Sequence, residues 1–300
     1  MIIQNAILAT LVYHDIFDYP LKIEEIQRYL IGEEADPKKA QKAIETLVKN
    51  KKIKKDKTLI HLKGRKKIVE RRQRRERFSK EKTKRAKFYS SLLKIIPTIN
   101  LVAVSGALAM ENAKMNDDID LVIITSKNTL WSTRLLSNII LHPFRRKAGQ
   151  PHTKDKACLN LFIEQSSLKI PTQNLYTAHE IAQMKPLWQR KNTYQRFLKA
   201  NTWVKNYLPN WTPDTVNSKW KIRELVSRKV EIVNRRSPYS PFTIHHSLVE
   251  HIEALAKWAQ LKYMQKKITT EKVGEHQLFF HPANTEERVL KEYLKRVRKI

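Results

Sequence analysis

Residues 104–125 read VSGALAMENAKMNDDIDLVIIT, and this stretch decides the fold. An apolar run ends at a Ser-Gly pair, a short Ala/Leu-rich segment follows, and an acidic turn leads into a second apolar run. Successive side chains of a strand alternate between faces, so Asp118 and Asp120 share one face while Ile119 and Leu121 take the other. Two adjacent like charges are costly unless a cation neutralises them. Hard oxygen ligands at this spacing suit Mg²⁺ or Mn²⁺. Asp118 and Asp120 are therefore the candidate catalytic and metal-ligating residues. Just upstream, Ser105, Gly106 and Ala107 open a helix directly after a strand, where free N–H groups favour an anion, and Gly106 lets the backbone approach it closely. These three are candidate nucleotide-binding residues. A metal cradle beside such a turn is the minimum equipment for nucleoside triphosphate (NTP) chemistry.

Working outward, TINLVAVS and DIDLVIIT are expected strands, TLWSTRLLSNIIL a helix and ACLNLFIE a third strand. The basic loop at 142–157, HPFRRKAGQPHTKDKA, hangs near the same cleft, and its Arg145, Arg146 and Lys147 are further candidates for binding phosphates. Together these residues resemble the DNA polymerase beta-like nucleotidyltransferase superfamily, which carries a glycine at a strand–helix junction and an Asp-x-Asp about ten residues later. Here ten residues separate Gly106-Ala107 from Asp118-Ile119-Asp120. The resemblance covers roughly residues 97–165. It implies that Asp118 and Asp120 hold two divalent ions, that Gly106 sits beneath the triphosphate, and that a nucleoside monophosphate passes to an acceptor hydroxyl with loss of pyrophosphate. Two positions depart from the pattern. Ala107 stands where the family has a serine, with Ser105 a partial substitute. The third carboxylate is not evident either. In CLNLFIE, strand alternation puts Cys158, Asn160, Phe162 and Glu164 on one face. Asn160 cannot act as a base, so Glu164 becomes the third catalytic candidate, with Asp155 or a substrate group as alternatives.

The flanks are read from periodicity. Apolar residues at helical spacing mark helices in 3–16 and after Pro20, and Asp36-Pro37 starts a third whose stripe is Ala40, Ala43, Ile44, Leu47 and Val48. IKKDKTLIHL alternates like a small hairpin. Three helices and a two-stranded wing resemble a winged helix-turn-helix, in which the third helix often enters the major groove. The run at 63–87 holds 14 Lys and Arg against 3 Glu and reads as a long, mostly solvated helix. Lys38, Lys39, Lys42, Lys54 and Lys55 in the first module, and Arg71, Arg72, Arg74 and Arg75 in the second, are candidate nucleic-acid contacts. Beyond about residue 175 the chain reads helical, with further helices at 217–234, 246–267 and 285–299. The aromatic residues Trp188, Tyr194, Phe197, Trp203 and Tyr207 fall at helical intervals and read as a core.

The expected architecture is α+β: a winged helix at 1–64, a basic helical linker at 65–95, a small mixed-sheet nucleotidyltransferase-like domain at 96–175 and a helical region at 176–300. Bulk numbers narrow the function. Lys and Arg number 59 against 29 acids, a formal charge of +30, which calls for an anionic partner such as nucleic acid or nucleotide phosphates. The single cysteine, Cys158, excludes an internal disulfide and fits a reducing cytoplasm. No run of about 18 apolar residues is present, so no membrane span is expected, and MIIQNAILATLVYHDIF makes a poor signal peptide. The expected function is metal-dependent nucleotidyl transfer from an NTP, with Mg²⁺ or Mn²⁺ as cofactor. The contrasting expectation is a degenerate, nucleic-acid-binding regulator that holds nucleotide without turnover. No protein partner is legible.

Overall fold

Capping and alternation set the first elements. Helix α1 (Ile3–Asp15) and the short α2 (Ile23–Arg28) precede α3 (Pro37–Lys49), which starts where the Asp36 carboxylate accepts the Lys39 N–H at 2.9 Å and Pro37 takes the first turn. Ala40, Ala43, Ile44 and Leu47 form its buried stripe. Strands β1 (Ile53–Asp56) and β2 (Leu59–Leu62) pair antiparallel around a turn in which Lys57 sits at a left-handed φ of 53°. Leu21 adds an antiparallel bridge to Ile60, with reciprocal backbone hydrogen bonds of 2.9 and 2.7 Å. The structure is a computed structural model that describes residues 2–146, 153–212, 246–265, 272–280 and 284–299. The helix expected at 217–234 lies outside the described residues.

The basic run folds as one long helix, α4 (Lys67–Leu93), but it is not the mostly solvated spacer that its composition suggests. Ile68, Arg72, Arg75, Ser79, Lys82, Ala86, Tyr89 and Leu93 are all buried and recur at alternating steps of four and three residues. That is one continuous helical stripe. Hydropathy hides it because three of its eight members are cations. Arg72 donates to Glu25 at 2.8 and 3.0 Å and to Glu76 at 2.9 Å, also bonds the Pro20 carbonyl, and lies 4.2 Å from the Tyr19 ring centroid. Arg75 donates to the carbonyl of Phe17 at 2.9 Å and to Asn112 at 3.1 Å. These two side chains fix the N-terminal module to the rest of the molecule and are not placed to meet nucleic acid.

The central sheet runs β6-β3-β4-β5-β8-β7 among the described residues: β3 (Ile99–Val104), β4 (Ile119–Thr125), β5 (Ala157–Glu164), β6 (Lys185–Gln189), β7 (Lys272–Val273) and β8 (Gln277–Phe279). Only β4 and β5 are parallel, and α6 (Leu130–Ile140) provides the crossover that parallel neighbours need. The four-residue helix α5 (Gly106–Ala109) joins β3 to the acidic turn. Ile119, Leu121 and Ile123 belong to the core shared with α4, α6 and α9 (His246–Met264). Val122 and Ile124 belong to the core beneath α7 (Leu175–Gln183), α8 (Thr193–Ala200) and α10 (Asn284–Val297). The sheet is thus covered on both faces. The region expected to be all helical contributes β6, β7 and β8 instead. Pro186 fits β6 because that strand lies at the sheet edge, where a missing N–H costs least. Tyr194, Phe197 and Trp203 are buried in the core, as the aromatic spacing predicts. No described helix is long and apolar enough to cross a membrane.

Candidate active site

Asp118 immediately precedes β4 and Asp120 is its second residue, so extended-chain alternation turns both toward the α7 face. With Cys158 they form the one group of three ligand-bearing side chains found among the described residues, their ligand atoms all within 4.8 Å of one another. Register accounts for the cysteine, since Asp120 stands directly beside Cys158 across the parallel β4–β5 pair. Burial, then the neighbouring Asp118 charge, pushes the Asp120 carboxyl up to about 7. Burial and the same two carboxylates push the Cys158 thiol up. A cation would relieve these charges, so two carboxylate oxygens and a thiol fit a divalent ion. The oxygens suit Mg²⁺ or Mn²⁺, and the sulfur favours the softer of the two.

Gly106 has a φ of +59°, a left-handed value that an L side chain adopts only with strain. A Cβ there would lie 3.4 Å from Asp120 Oδ2, so the glycine walls the carboxylate. The buried Ser105 ends β3 with its N–H donating to the Asp120 carbonyl at 3.3 Å, and exposed Ala107 accepts the Asn112 N–H at 2.8 Å. Asp117 belongs to the turn itself: its carboxylate accepts the Lys114 N–H at 2.8 Å.

Of the basic loop, Arg146 reaches the site, donating to Asp118 Oδ2 at 2.9 Å. Arg145 turns away to Asn138 on α6 at 2.7 Å. Lys147 lies outside the described residues. From α4 the buried Lys82 donates to the Asp117 carbonyl at 2.5 Å and to Asp155 at 2.7 Å, clamping the acidic turn to the loop before β5. Asp155 is thereby a structural anion. Hydropathy did not single out Lys82, and its burial is what reveals its role.

The expected face for β5 fails midway. The register runs Leu121↔Leu159 and then Val122↔Leu161, so Asn160 is an extra, bulged residue. Cys158 faces the carboxylates, Asn160 and Leu161 both line a cavity beneath α7, and Phe162 enters the opposite core. Glu164 is not part of the acidic group, for reasons of distance. It pairs with Thr125 at the far end of β4, six residues and roughly 20 Å of strand beyond Cys158. There it is buried, accepts from Ser166 and sits 3.6 Å from His276. The side chain in the third position is Cys158, and its signal was register, which composition does not show.

The cavity beside the carboxylates has a volume of about 480 Å³. It is lined by Ser105, adjacent to Gly106, by Val122, two residues after Asp120, and by Tyr176, Thr177 and Ile181 of α7.

The remaining basic candidates separate by exposure. Lys38, Lys39, Lys42, Lys54, Lys55 and Arg74 are exposed, Lys39 within 3.7 Å of Asp36. Arg71 bonds Asp18 with its side chain 41% exposed.

No protein-family model matches the chain, and no curated protein matches it. A solved structure described as the crystal structure of the toxin-antitoxin with AMP-PNP is similar at 15% identity and a TM-score of 0.24, covering 50% of this chain and 95% of that one.

Proposed function

We propose that the chain is a metal-dependent nucleotidyltransferase that moves a nucleoside monophosphate from an NTP to an acceptor hydroxyl. One observation carries the reading: Asp118 and Asp120 converge beside a left-handed Gly106, within ligand distance of a third donor. Asp118, Asp120 and Cys158 would hold a divalent ion, which supplies charge neutralisation for the phosphates during transfer. Arg146, already on Asp118, is placed to exchange that carboxylate for a phosphate oxygen. In the reaction the acceptor oxygen bonds to the α-phosphorus, the bond to the pyrophosphate oxygen breaks, and the hydroxyl proton goes to solvent. Lys82 and Gly106 serve by holding the turn and the carboxylate in place.

The acceptor we propose is nucleic acid. What supports this is the exposed set Lys38, Lys42, Lys54 and Lys55 on a module of three helices and a hairpin, which we read as a winged helix at 1–64. A second reading, a regulator that binds nucleotide without turnover, is favoured by Ala107 and by the distance of Glu164 from the carboxylates.

Incubation with α-labelled NTPs, Mg²⁺ or Mn²⁺ and total cellular RNA, beside Asp118→Ala/Asp120→Ala, separates the two. Label on RNA in the parent alone is the expected result. Metal-dependent nucleotide binding without transfer would favour the regulator, and neither binding nor transfer would overturn both.

A further inference from the structure

Two arginines on the α6–α9 side of the sheet are held in place without an acid. Arg145 and Arg146 belong to an extended segment that bridges Ala157, so their side chains leave on opposite faces. Arg146 goes to Asp118, and Arg145 goes to Asn138 of α6. Asn138 stands one turn after Arg134 and donates to its carbonyl at 2.8 Å, which sets Arg145 beside the turn that carries Arg134. Arg134 in turn donates to Gln260 of α9 and lies 4.4 Å from the Phe280 ring centroid.

Both acceptors are neutral amides oriented by their own donors. Gln260 Nε2 donates to the carbonyls of Trp131 at 2.8 Å and Ala256 at 3.0 Å, which leaves Oε1 for Arg134. Asn138 Nδ2, on the Arg134 carbonyl, leaves Oδ1 for Arg145 in the same way. Other buried cations of this chain are matched by acids: Arg72 by Glu25 and Glu76, Lys82 by Asp155. Arg134 and Arg145 have no carboxylate partner among the described residues. Burial, then the Arg145 charge, pulls the Arg134 guanidinium down to about 10. The amides therefore fix two guanidinium groups without neutralising them. Each Nε is enclosed and unpaired, out of reach of any ligand. Each Nη2 also lacks an acceptor among the described residues but is not enclosed, and it is the group that an anion can meet.

We propose that Arg134 and Arg145 form a second anion site, on the opposite side of the sheet from the carboxylates, that binds a terminal phosphate. Guanidinium edges match phosphate oxygens. Two fixed cations call for about two negative charges, which a phosphate monoester carries near neutral pH. A carboxylate or a backbone phosphodiester carries one and leaves a guanidinium unmatched. The Phe280 ring covers one face of Arg134, so the anion is met at the guanidinium edge. A free phosphorylated molecule and the 5′-phosphate of a nucleic-acid strand share this chemistry. The site does not depend on the transfer reading above.

Calorimetry on the full chain tests it, without divalent metal, at about pH 8, where a phosphate monoester is a dianion, and at an ionic strength held constant with chloride. The probes are inorganic phosphate and a short RNA carrying either a 5′-phosphate or a 5′-hydroxyl. The parent should bind phosphate, and Arg134→Gln and Arg145→Gln should each weaken it about tenfold or more, the scale of one hydrogen bond to a charged group. Arg146→Ala, on the other face, should leave it within about twofold. Urea unfolding gives a second readout. Removing one of two unneutralised like charges should hold the Arg145→Gln midpoint at or above the parent's while phosphate binding falls. Tighter binding of the 5′-phosphorylated strand than of its hydroxyl form would assign the site to a nucleic-acid end. Equal binding of the two strands, with inorganic phosphate still bound, would assign it to a free phosphorylated molecule. A lowered midpoint with unchanged phosphate affinity would make the pair structural and overturn the proposal. So would absence of phosphate binding by the parent, or its loss in Arg146→Ala alone.

Discussion

Two regions of this chain carry dense positive charge, and they use it in opposite ways. On α4, Arg72, Arg75 and Lys82 are buried and spend their donors on Glu25, Asn112, Asp155 and main-chain carbonyls. On α3 and the β1–β2 hairpin, Lys38, Lys42, Lys54 and Lys55 stand in solvent. The first set is internal mortar for the N-terminal module and the acidic turn. The second is the surface available to an anion. A formal charge of +30 therefore overstates what a polyanion can meet. Burial, not count, decides which cations are structural.

The sharpest way to break this comparison is to remove a buried member. Arg72→Met would leave Glu25, itself mostly buried, without its cation. Burial raises the Glu25 carboxyl, but Arg72 outweighs it and holds the group below the usual range. Losing one partner of a buried pair costs about 3–5 kcal/mol. Arg72→Lys should recover only part, because an ammonium cannot reproduce the bidentate fork. Urea unfolding monitored by circular dichroism reads both variants. If Arg72→Met unfolds at the parent's urea midpoint, α4 is a surface helix after all.

A smaller effect concerns buried groups held neutral rather than paired. His14 of α1 and His179 of α7 lie edge to face with ring centroids 5.2 Å apart, and Tyr13 stacks on His179 at 3.9 Å. Each imidazole donates Nδ1–H to a carbonyl one turn back, Thr10 and Leu175, at 2.9 Å. Burial pulls the His14 imidazole down from 6.5 to about 4, and burial together with His14 pulls His179 down as well. Between these values the unfolded chain binds protons that the folded chain refuses, so stability rises with pH. The contribution is whole above about pH 6.5 and is lost as pH falls toward 4. For His14 alone the linkage amounts to about 3 kcal/mol. The variant His14→Asn, which keeps a donor for Thr10 but cannot charge, should flatten the decline of the urea midpoint between pH 6.5 and 4. An unchanged decline would place the acid sensitivity elsewhere.

These contacts also show what was legible beforehand. The Gly-Ala, ten-residue, Asp-x-Asp pattern located β3, α5, β4 and the carboxylate pair because each feature is local: period-2 alternation, one glycine, one acidic turn. Asp36-Pro37 marked the start of α3 for the same reason. The stripe on α4 was illegible because Arg72, Arg75 and Lys82 are polar letters at buried positions, and burial of each cation depends on partners 35 to 73 residues away in sequence. Glu164 was misplaced because sharing a face along a strand is not proximity: it pairs with Thr125, six residues beyond Cys158, and the bulge at Asn160 turns its face as well. Cys158 stood on the expected face before the bulge, and only the parallel register sets it beside Asp120. β6 to β8 were missed because short edge strands borrow their pairing from neighbours distant in the chain.

The smallest stability effect is expected at the exposed end of the comparison, where the functional effect would be cleanest. Lys54→Ala and Lys55→Ala remove solvated cations on β1, away from any buried partner, so unfolding should move by no more than about 0.5 kcal/mol. Under the proposed nucleic-acid role, each lysine that meets a phosphate releases a counterion, and its loss should lower the slope of log affinity against log salt by about 1. Fluorescence anisotropy of a labelled duplex and a labelled single strand, read across a salt series, measures that slope. Arg74→Ala, an exposed change on α4, belongs in the same series. A fall in slope for the lysines but not for Arg74 would confine the anion surface to the N-terminal module. A fall for Arg74 as well would extend the track along the outer face of α4. No fall in any of them would leave the exposed lysines as solubilising charge, and the acceptor would have to be sought among molecules smaller than nucleic acid.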